Sequence, residues 1–433
     1  MKNTVFILVS ALIIMASVFI APQYQVAQKT SYEHYLSPDH LRKSRQELAS
    51  RIAFWEQKLQ AAPGNFVYQK KLAGLYAAGF KLTGDITQLH RSDSLLLAVN
   101  ARLPGRVGVL QSLTANAITR HAFREAEGYI RKACDIGEDR FTSSLMLADV
   151  ALERGNLLEA SLLLDGIASG SHFDYLIREV KLHDQSDELD KAVRSMEKAA
   201  GLARASGTSS AINWALSNLA DMYGHQGKVK KAYETYLQAL RLDPADLHSL
   251  RGIAWIAFSH DRNTEEAKRI VRFLQSIHPM PDYDLFLAEI AAYEQDTATE
   301  RMHKEQFLRK ASAQAYGNMY KSYVCQLKSE GGEAAEALEI AAEEIGERPH
   351  PMSYHLLAWA AFRHGSPQRA LDILEQHVIG QTGEPEALYH AGVILKEAGR
   401  KEAARAHLLA AREASFELGP VVAAEIQGHL EQL

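Results

Sequence analysis

Two cysteines and eighteen histidines are the side chains of this sequence with the widest chemistry, as nucleophiles or as metal ligands. Their spacing along the sequence does not place them in a common local motif. The sequence has no His-Glu-x-x-His pair, no Cys-x-x-Cys pair and no aspartate-rich calcium loop, the local patterns that hold metal ions. It also has no glycine-rich phosphate loop and no serine-centred elbow. We therefore predict no catalytic residues, no metal site and no cofactor.

The elements that carry these residues repeat with a period of about 34 residues, the length of a helix–turn–helix unit. Windows beginning at Pro351 and Pro385 show the period most clearly. Tyr354, Leu357, Ala358, Ala361, Gly365, Ala370 and Leu374 of the first window correspond to Leu388, Ala391, Gly392, Leu395, Gly399, Ala404 and Leu408 of the second. Further windows begin at Val107, Phe141, Asn213, Leu247, Pro281 and Gly317. The period predicts helical hairpins stacked into a solenoid.

Small residues recur where the two helices of a hairpin must cross closely. In the first helix this position holds Ala148, Ala220, Ala254, Ala288, Ala358 or Gly392, and in the second Ala126, Ala160, Ala232, Ala370 or Ala404. Between the helices we expect a residue with positive φ, at Gly155, Gly227, Gly331, Gly365 and Gly399. Pro244 is expected to end a second helix.

The segment from Asn213 to Pro244 (NWALSNLADMYGHQGKVKKAYETYLQALRLDP) resembles a tetratricopeptide repeat. The resemblance covers most of the chain from Val107 to Glu417, with an expanded copy from Phe66 to Pro104. It departs from the pattern between Phe173 and Leu202, where the first helix is polar and irregular. It implies an all-α fold, a right-handed superhelical solenoid of stacked hairpins, preceded here by an N-terminal signal or anchor helix.

The cysteines and several histidines have simple explanations within such a solenoid. Cys134 and Cys325 lie more than five repeats apart, and because a repeat contacts only its neighbours, we expect no disulfide between them. Four histidines fall at the carboxyl end of a first helix, where the helix dipole favours a cation. They are His121, His225, His260 and His364.

Composition supports one elongated helical domain outside the nucleic-acid-binding classes. Apolar residues make up 47% of the chain, enough for a continuous core between repeats. The formal net charge of −5 gives no basic stripe for phosphate contacts. We divide the chain into a signal peptide or membrane anchor (1–22), a polar tether (23–37), a capping helix (38–64) and the repeat solenoid (65–433).

The amino-terminal run VFILVSALIIMASVFIA, residues 5–21, carries no charge and follows Lys2. Such a run is a secretory signal or a membrane anchor. As a helix it would rise only about 25 Å, slightly less than a bilayer core, yet no convincing cleavage point with paired small residues follows it. Both interpretations stay open. Either one places the repeats outside the cytoplasm, in the periplasm or cell envelope, with possible anchorage in the cytoplasmic membrane through residues 5–21.

In the tetratricopeptide fold the first helix of each hairpin lines a concave groove, and the resemblance implies which positions face it. At those positions the sequence collects aromatic side chains: Trp214, Trp255, Phe258, Tyr293, Trp359, Phe362 and Tyr389. Basic side chains join them: Arg251, Lys321, Lys328, Arg363 and Lys396. Aromatic anchors beside cations are typical of sites that bind a protein or peptide. The alternative is that Trp255 and Trp359 only pack between neighbouring helices.

Three classes of function are compatible with this sequence. The first is a non-catalytic scaffold outside the cytoplasmic membrane, which binds a partner protein or peptide of unknown identity in its groove. The second is a repeat protein that binds a small ligand or glycan through the aromatic groove. The third is an enzyme whose functional residues are not grouped in the sequence. We predict the first, with no nucleic acid among its partners.

Overall fold

The computed structural model describes residues 25–167, 170–312 and 314–433, and throughout these ranges the regular structure is helical. The predicted signal or anchor segment, residues 5–21, lies outside the described residues. Among the helices that the structure does describe, none combines the length and the apolar character needed to cross a bilayer.

Ten helical hairpins follow one another along the described part of the chain. Hairpins 1 to 5 are Phe66–Thr83 with Ile86–Arg102, Val107–Thr119 with Phe123–Ile136, Arg140–Glu153 with Leu157–Ile167, Phe173–Gln185 with Leu189–Ser206, and Ser209–His225 with Val229–Leu242. Hairpins 6 to 10 are Leu247–Trp255 with Thr264–Ile277, Asp282–Tyr293 with Thr297–Ala311, Lys321–Glu330 with Ala334–Glu347, Pro351–Arg363 with Pro367–His377, and Pro385–Glu397 with Lys401–Glu413. The polar, irregular segment after Phe173 thus forms hairpin 4.

Helices at the two ends complete the array. At the amino terminus a short helix, Lys29–Tyr32, leads through a 3₁₀ turn, Glu33–Tyr35, to the long helix Asp39–Ala61, which packs on hairpin 1. A second 3₁₀ turn, Gln314–Tyr316, lies between hairpins 7 and 8. The C-terminal helix, Ser415–Glu431, follows hairpin 10.

The small residues at the predicted helix crossings are buried as expected. All ten alanines of that set are 0 to 1% exposed. At Gly392, a Cβ atom would lie 2.6 Å from Cγ of Leu408 on the second helix of the hairpin. Since a larger side chain at these positions would push the two helices apart, the period in the sequence and the packing of the hairpins have the same cause.

The turns within the hairpins need a left-handed residue, as predicted, but not always a glycine. Gly155, Gly227, Gly365 and Gly399 have φ between 69° and 81°. The prediction for Gly331 is wrong: its φ is −76°, and the left-handed residue of that turn is Gly332 at φ 87°. In four other hairpins a larger residue takes this conformation, despite its steric cost. These residues are His121, Asp187, Arg262 and Gln295.

Successive turns of the superhelix contact each other along a line that we call the inter-turn seam. There, the turns inside hairpins 1 to 5 lie against the links that follow hairpins 6 to 10. Asn318 donates a 3.2 Å hydrogen bond to the carbonyl oxygen of His121. Arg348 donates one of 3.1 Å to the carbonyl oxygen of Glu153. The seam comprises residues 81–84, 121, 153–155, 187 and 225 on one side and residues 278–280, 318, 347–350, 383 and 416–417 on the other.

The prediction that His121 is a cation stabilised by the helix dipole is wrong, because His121 lies in the seam. This residue is at φ 55°, beyond the end of its helix at Thr119, and packs against the next superhelical turn. Burial, helped by the guanidinium of Arg348, lowers the pKa of His121 to about 4. Its imidazole is therefore neutral near pH 7, and a favourable helix dipole does not account for its position.

Residues 25–37, the described part of the predicted polar tether, pack on the solenoid instead. The backbone N–H groups of Val26 and Ala27 donate to the Asp261 carboxylate at 2.9 and 2.8 Å. The Tyr32 hydroxyl, which is fully buried, donates to Glu266 at 2.6 Å. The sequence did not reveal this docking because the contacts join residues more than 200 positions apart, in a segment with no repeat pattern.

Candidate functional site

The first helices of the hairpins line two adjoining cavities on the concave side of the solenoid. The first has a volume of about 590 Å³ and is bounded by helices of hairpins 3 to 8. The second, of about 1190 Å³, is bounded by hairpins 6 to 10 and the C-terminal helix. The cavities meet at Trp255, Glu289 and Tyr323, which line both. Such concave spaces between repeats are where ligands of solenoid proteins are expected.

The chain's own C-terminal helix lies in this concave face. The indole nitrogen of Trp255 donates a 2.9 Å hydrogen bond to the carbonyl oxygen of Phe416. The hydroxyl of Ser259 donates to the same oxygen at 2.6 Å. His225 contacts the Glu417 carboxylate at 2.8 Å. Although burial opposes it, this carboxylate and its acidic neighbours raise the pKa of His225 to about 9, which makes the contact an ion pair.

The backbone of the C-terminal helix is interrupted where it passes between the cavities. Gly419 has φ 79° and ψ 169°, and Pro420 follows it. A Cβ atom at Gly419 would lie 2.3 Å from the Glu289 carboxylate and 3.2 Å from the Trp255 ring. Only glycine combines this backbone conformation with so close an approach. Further along, Tyr389 donates a 2.7 Å hydrogen bond to Glu425 of the helix.

The wall of the second cavity is strongly acidic. It carries two basic side chains, Lys304 and Arg363, against eight carboxylates. The carboxylates are Glu289, Glu300, Glu330, Glu384, Glu386, Glu397, Glu417 and Glu425. Between them stand apolar and aromatic side chains, including Trp359, Phe362 and Tyr389. A concave wall of one charge sign concentrates the opposite charge.

Several of these carboxyl groups are held partly protonated. Burial raises the pKa of Glu289 to about 8, and no basic side chain among the described residues forms an ion pair with it. Burial and neighbouring carboxylates raise the pKa values of Glu384 and Glu386 to about 7. Burial also raises the pKa of Glu330. A bound cation would favour the charged form of each group.

Charges in the first cavity are more evenly matched. Arg178 and Asp149 form a 2.6 Å ion pair, and His248 contacts Asp221 at 2.7 Å. Arg251, predicted in the groove, lines this cavity and lies 3.6 Å from an Asp282 carboxylate oxygen. Its six carboxylates face three lysine or arginine side chains and two histidines, so its excess of negative charge is smaller than that of the second cavity.

Seven of the twelve residues predicted to line the groove do line a cavity. Trp214 and Arg251 line the first cavity, and Trp255 lines both. Trp359, Phe362, Arg363 and Tyr389 line the second. The cation and the aromatic ring predicted as neighbours meet directly, since the Arg363 guanidinium lies 5.7 Å from the Trp359 ring centre. Whether these residues bind a partner stays a prediction.

Phe258 does not reach the groove, although Phe362 at the equivalent position does. The first helix of hairpin 6 continues as a π-helical turn, Ile256–His260, closed by a 3.0 Å bond from the N–H of Asp261 to the carbonyl of Ile256. A π-turn changes the helical register of the residues within and after it. Phe258 is consequently fully buried, with its ring packed against three aromatic neighbours, Trp255, Phe286 and Tyr293.

The other predicted residues also lie outside the cavity walls. Tyr293 packs against the buried ring of Phe258. Lys321 and Lys328 form ion pairs with glutamates on the second helix of their own hairpin. Lys396 donates to Gln432 at the end of the C-terminal helix. Several cations expected in the groove are therefore engaged elsewhere, and this leaves the carboxylates to determine its charge.

Sequence reasoning did not single out a compact group made of His355, Glu386 and His390. Their ligand atoms lie within 4.8 Å of one another, and both histidines are 1% exposed. Two signals were present in the sequence. Glu386 and His390 are four residues apart on one helix, and His355 occupies a similar position in the preceding repeat. Neither signal matches a short metal-binding motif.

Comparison with known proteins identifies the type of repeat. Residues 215–246, which cover most of hairpin 5 and the link after it, match the sequence model of the tetratricopeptide repeat. The structure of yeast Tom70 aligns with 94% of this chain and 97% of its own, at 13% identity and a TM-score of 0.35. A tetratricopeptide repeat protein from Parabacteroides merdae aligns over 61% of this chain and 98% of its own, at 19% identity and 0.35.

A third structure, YrrB, is described as a tetratricopeptide repeat protein with an unusual peptide-binding site. It aligns with 45% of this chain and 95% of its own, at 14% identity and a TM-score of 0.28. No curated protein matches the chain in sequence. These TM-scores are too low to compare superhelical paths or sites. The repeat match shows one tetratricopeptide repeat, and the other hairpins have the same helix–turn–helix form. Proteins built from such repeats generally bind other proteins and generally lack catalytic activity.

Proposed function

We propose that this protein is a non-catalytic scaffold whose concave face binds a segment of a partner protein, and that this segment carries basic side chains. The observation that carries the proposal is the wall of the second cavity, where aromatic side chains alternate with eight carboxylates and only two basic groups. Aromatic rings supply buried area, while the carboxylates select a cationic partner and orient it.

The C-terminal helix illustrates how this face holds a polypeptide. Trp255 and Ser259 converge on a single main-chain carbonyl oxygen, that of Phe416. Tyr389 holds a side chain of the same helix. Hydrogen bonds to a main-chain carbonyl do not depend on the identity of the bound residue, so the same donors suit a peptide of different sequence.

A selection from a random peptide library on the purified chain tests this function. We expect the retained peptides to be rich in lysine, arginine and apolar residues, and to bind more weakly as salt rises. Glu330→Gln, in the cavity wall, should weaken their binding. Glu413→Gln, on an exposed second helix, should not. Selection of acidic peptides, or equal binding to both variants, would contradict the proposal.

The alternative function is the binding of a small ligand or glycan in the aromatic groove, and a second binding experiment tests it. The second cavity is large enough for a compact ligand, and Trp359 and Phe362 line it. If a glycan array yields a ligand that displaces no peptide and whose binding is lost in Trp255→Ala, the alternative replaces the peptide function.

We further propose that the protein works outside the cytoplasmic membrane. The uncharged run at residues 5–21, preceded by Lys2, supports this location. Protease added to cells with a permeabilised outer layer should digest the repeats while a cytoplasmic control stays intact. Equal protection of both proteins would refute this location, and the mass of the mature amino terminus would distinguish a cleaved signal from a retained anchor.

A further inference from the structure

Three potential metal ligands converge from two neighbouring first helices. His355 lies on the first helix of hairpin 9, while Glu386 and His390 lie one turn apart on the first helix of hairpin 10. One ligand atom from each residue lies within 4.8 Å of the other two. Nε2 of His355 is 3.9 Å from a carboxylate oxygen of Glu386. These atoms come together because the two first helices stack side by side.

The two imidazoles are buried without hydrogen-bond partners. Neither ring nitrogen of His355 has a partner among the described residues, and the same is true of Nδ1 of His390. Both residues are 1% exposed. An unsatisfied buried polar group destabilises the folded state, and several in contact need an explanation. A metal ion would supply the partner that these nitrogens lack.

We propose that His355, Glu386 and His390 bind one zinc ion through three protein ligands, with the fourth position directed toward the second cavity. Two imidazoles and one carboxylate form a ligand set that suits zinc, whereas magnesium and calcium prefer oxygen ligands alone. The proposal rests on this cluster and does not depend on the peptide-binding function.

The distances among the three ligand atoms fit a zinc ion after a small inward movement of the side chains. Zinc bonds of about 2.0 to 2.2 Å to nitrogen and oxygen require each ligand atom to move inward by less than about 1 Å. Side-chain rotation provides such a movement, since the residues already face one another. The ring of Trp359 lies flat on that of His390, 4.1 Å away and at an interplanar angle of 3°, which fixes the orientation of this imidazole.

The cavity gives the ion access and a reason to bind. Glu386 and His390 are both part of the wall of the second cavity, so an ion reaches them without passing through the core. Glu330 and Gln326 line the same wall beside them. A divalent cation would offset the excess of negative charge on this wall.

Calorimetric titration of the full chain with zinc tests the site. The protein is purified without a polyhistidine tag and stripped with a chelator. We expect one zinc ion per chain and a higher melting temperature in its presence, because the ion binds the folded state. Cobalt at the same site should show the visible absorption of a four-coordinate ion. Magnesium should not compete.

Substitutions assign the ion to this cluster. His355→Gln and Glu386→Gln should each weaken zinc binding at least about tenfold, as the loss of a ligand requires. His429→Gln, a histidine in the wall of the same cavity but outside the cluster, should leave it unchanged. Circular dichroism of the metal-free variants checks folding, and Glu386→Gln keeps nearly the same shape. No zinc binding up to millimolar concentration, or equal binding in Glu386→Gln and the parent chain, would overturn the proposal.

Discussion

The indole nitrogen of Trp255 and the carbonyl oxygen of Phe416 are joined by a 2.9 Å hydrogen bond that spans 161 residues of sequence. The bond ties the middle of the solenoid to the C-terminal helix. It also places an aromatic residue that lines both cavities against the chain's own backbone. A partner that used Trp255 in the same way would compete with the C-terminal helix.

Trp255→Phe should make the C-terminal helix open more often without displacing it from the concave face. The variant keeps an aromatic ring and loses one hydrogen bond, worth about 1 kcal/mol. Hydrogen exchange should become faster in residues 416–431 and stay unchanged in hairpins 1 to 3. Trp214→Phe, at an exposed indole, is the matched control. The same exchange rates in both variants would show that the bond does not hold the helix.

Gly419→Ala should destabilise the protein more than the addition of one methyl group would suggest. The backbone conformation at Gly419 strains any other residue, and the new Cβ atom would meet Glu289 and Trp255. We expect a loss of about 1 to 3 kcal/mol. Gly428→Ala, on the same helix with nothing within 4 Å of its Cβ position, should be neutral or stabilising. Chemical denaturation of the two variants measures the difference.

Glu289→Gln should change how stability depends on pH. Burial raises the pKa of Glu289 to about 8, above its usual value of 4.5. Between these values the folded state binds more protons than the unfolded state, so this group lowers stability as pH rises from 4.5 through 8. The neutral amide should therefore raise the melting temperature at pH 9 and have little effect at pH 4.

The expected gain at pH 9 is at least about 1 kcal/mol, since one unit of pKa shift corresponds to about 1.4 kcal/mol. Thermal melts of the variant and the parent chain at both pH values provide the measurement. Glu413→Gln, at an exposed position, should show no such pattern. A gain of equal size at pH 4 would mean that packing, and not ionisation, is responsible.

Trp359→Ala and Trp214→Ala should separate the two roles open to groove aromatics. Trp359 is 6% exposed and stacked on His390, so its truncation should cost about 3 to 5 kcal/mol of stability. Trp214 is 42% exposed, and its truncation should cost less than about 1 kcal/mol. Melting curves compare the two. Similar costs would mean that exposure does not distinguish packing from binding in this groove.

The hairpins could be predicted from the sequence because their determinants are local and repeated. Ala220, Ala358 and the equivalent residues lie where the two helices of a hairpin cross, and these helices are separated in the sequence only by a short connecting turn. The positive φ of the turn glycines was predicted correctly for a similar reason. Where the rule failed, at Gly331, two adjacent glycines were both available and the second took the left-handed conformation.

The inter-turn seam could not be predicted, because its residues share no pattern and their partners lie about 200 residues away. Asn318 and His121 illustrate this, as do Arg348 and Glu153. The groove was predicted in part. Its aromatic positions followed the repeat, but the π-turn removed Phe258 and long-range folding brought the C-terminal helix inside. The acidic wall arises from residues of hairpins 7, 8 and 10 and of the C-terminal helix, whose convergence depends on the superhelix.

The seam has a consequence for synthesis of the chain on the ribosome. Arg154 bonds with the carbonyl of Glu347, 193 residues later, and the carbonyl of His121 bonds with Asn318, 197 residues later. At roughly 5 to 20 residues per second, the early hairpins wait on the order of 10 to 40 s for these partners. Throughout that interval they form a growing array with one uncovered edge. The amino-terminal half must therefore remain folded by contacts between adjacent hairpins alone until the second coil arrives.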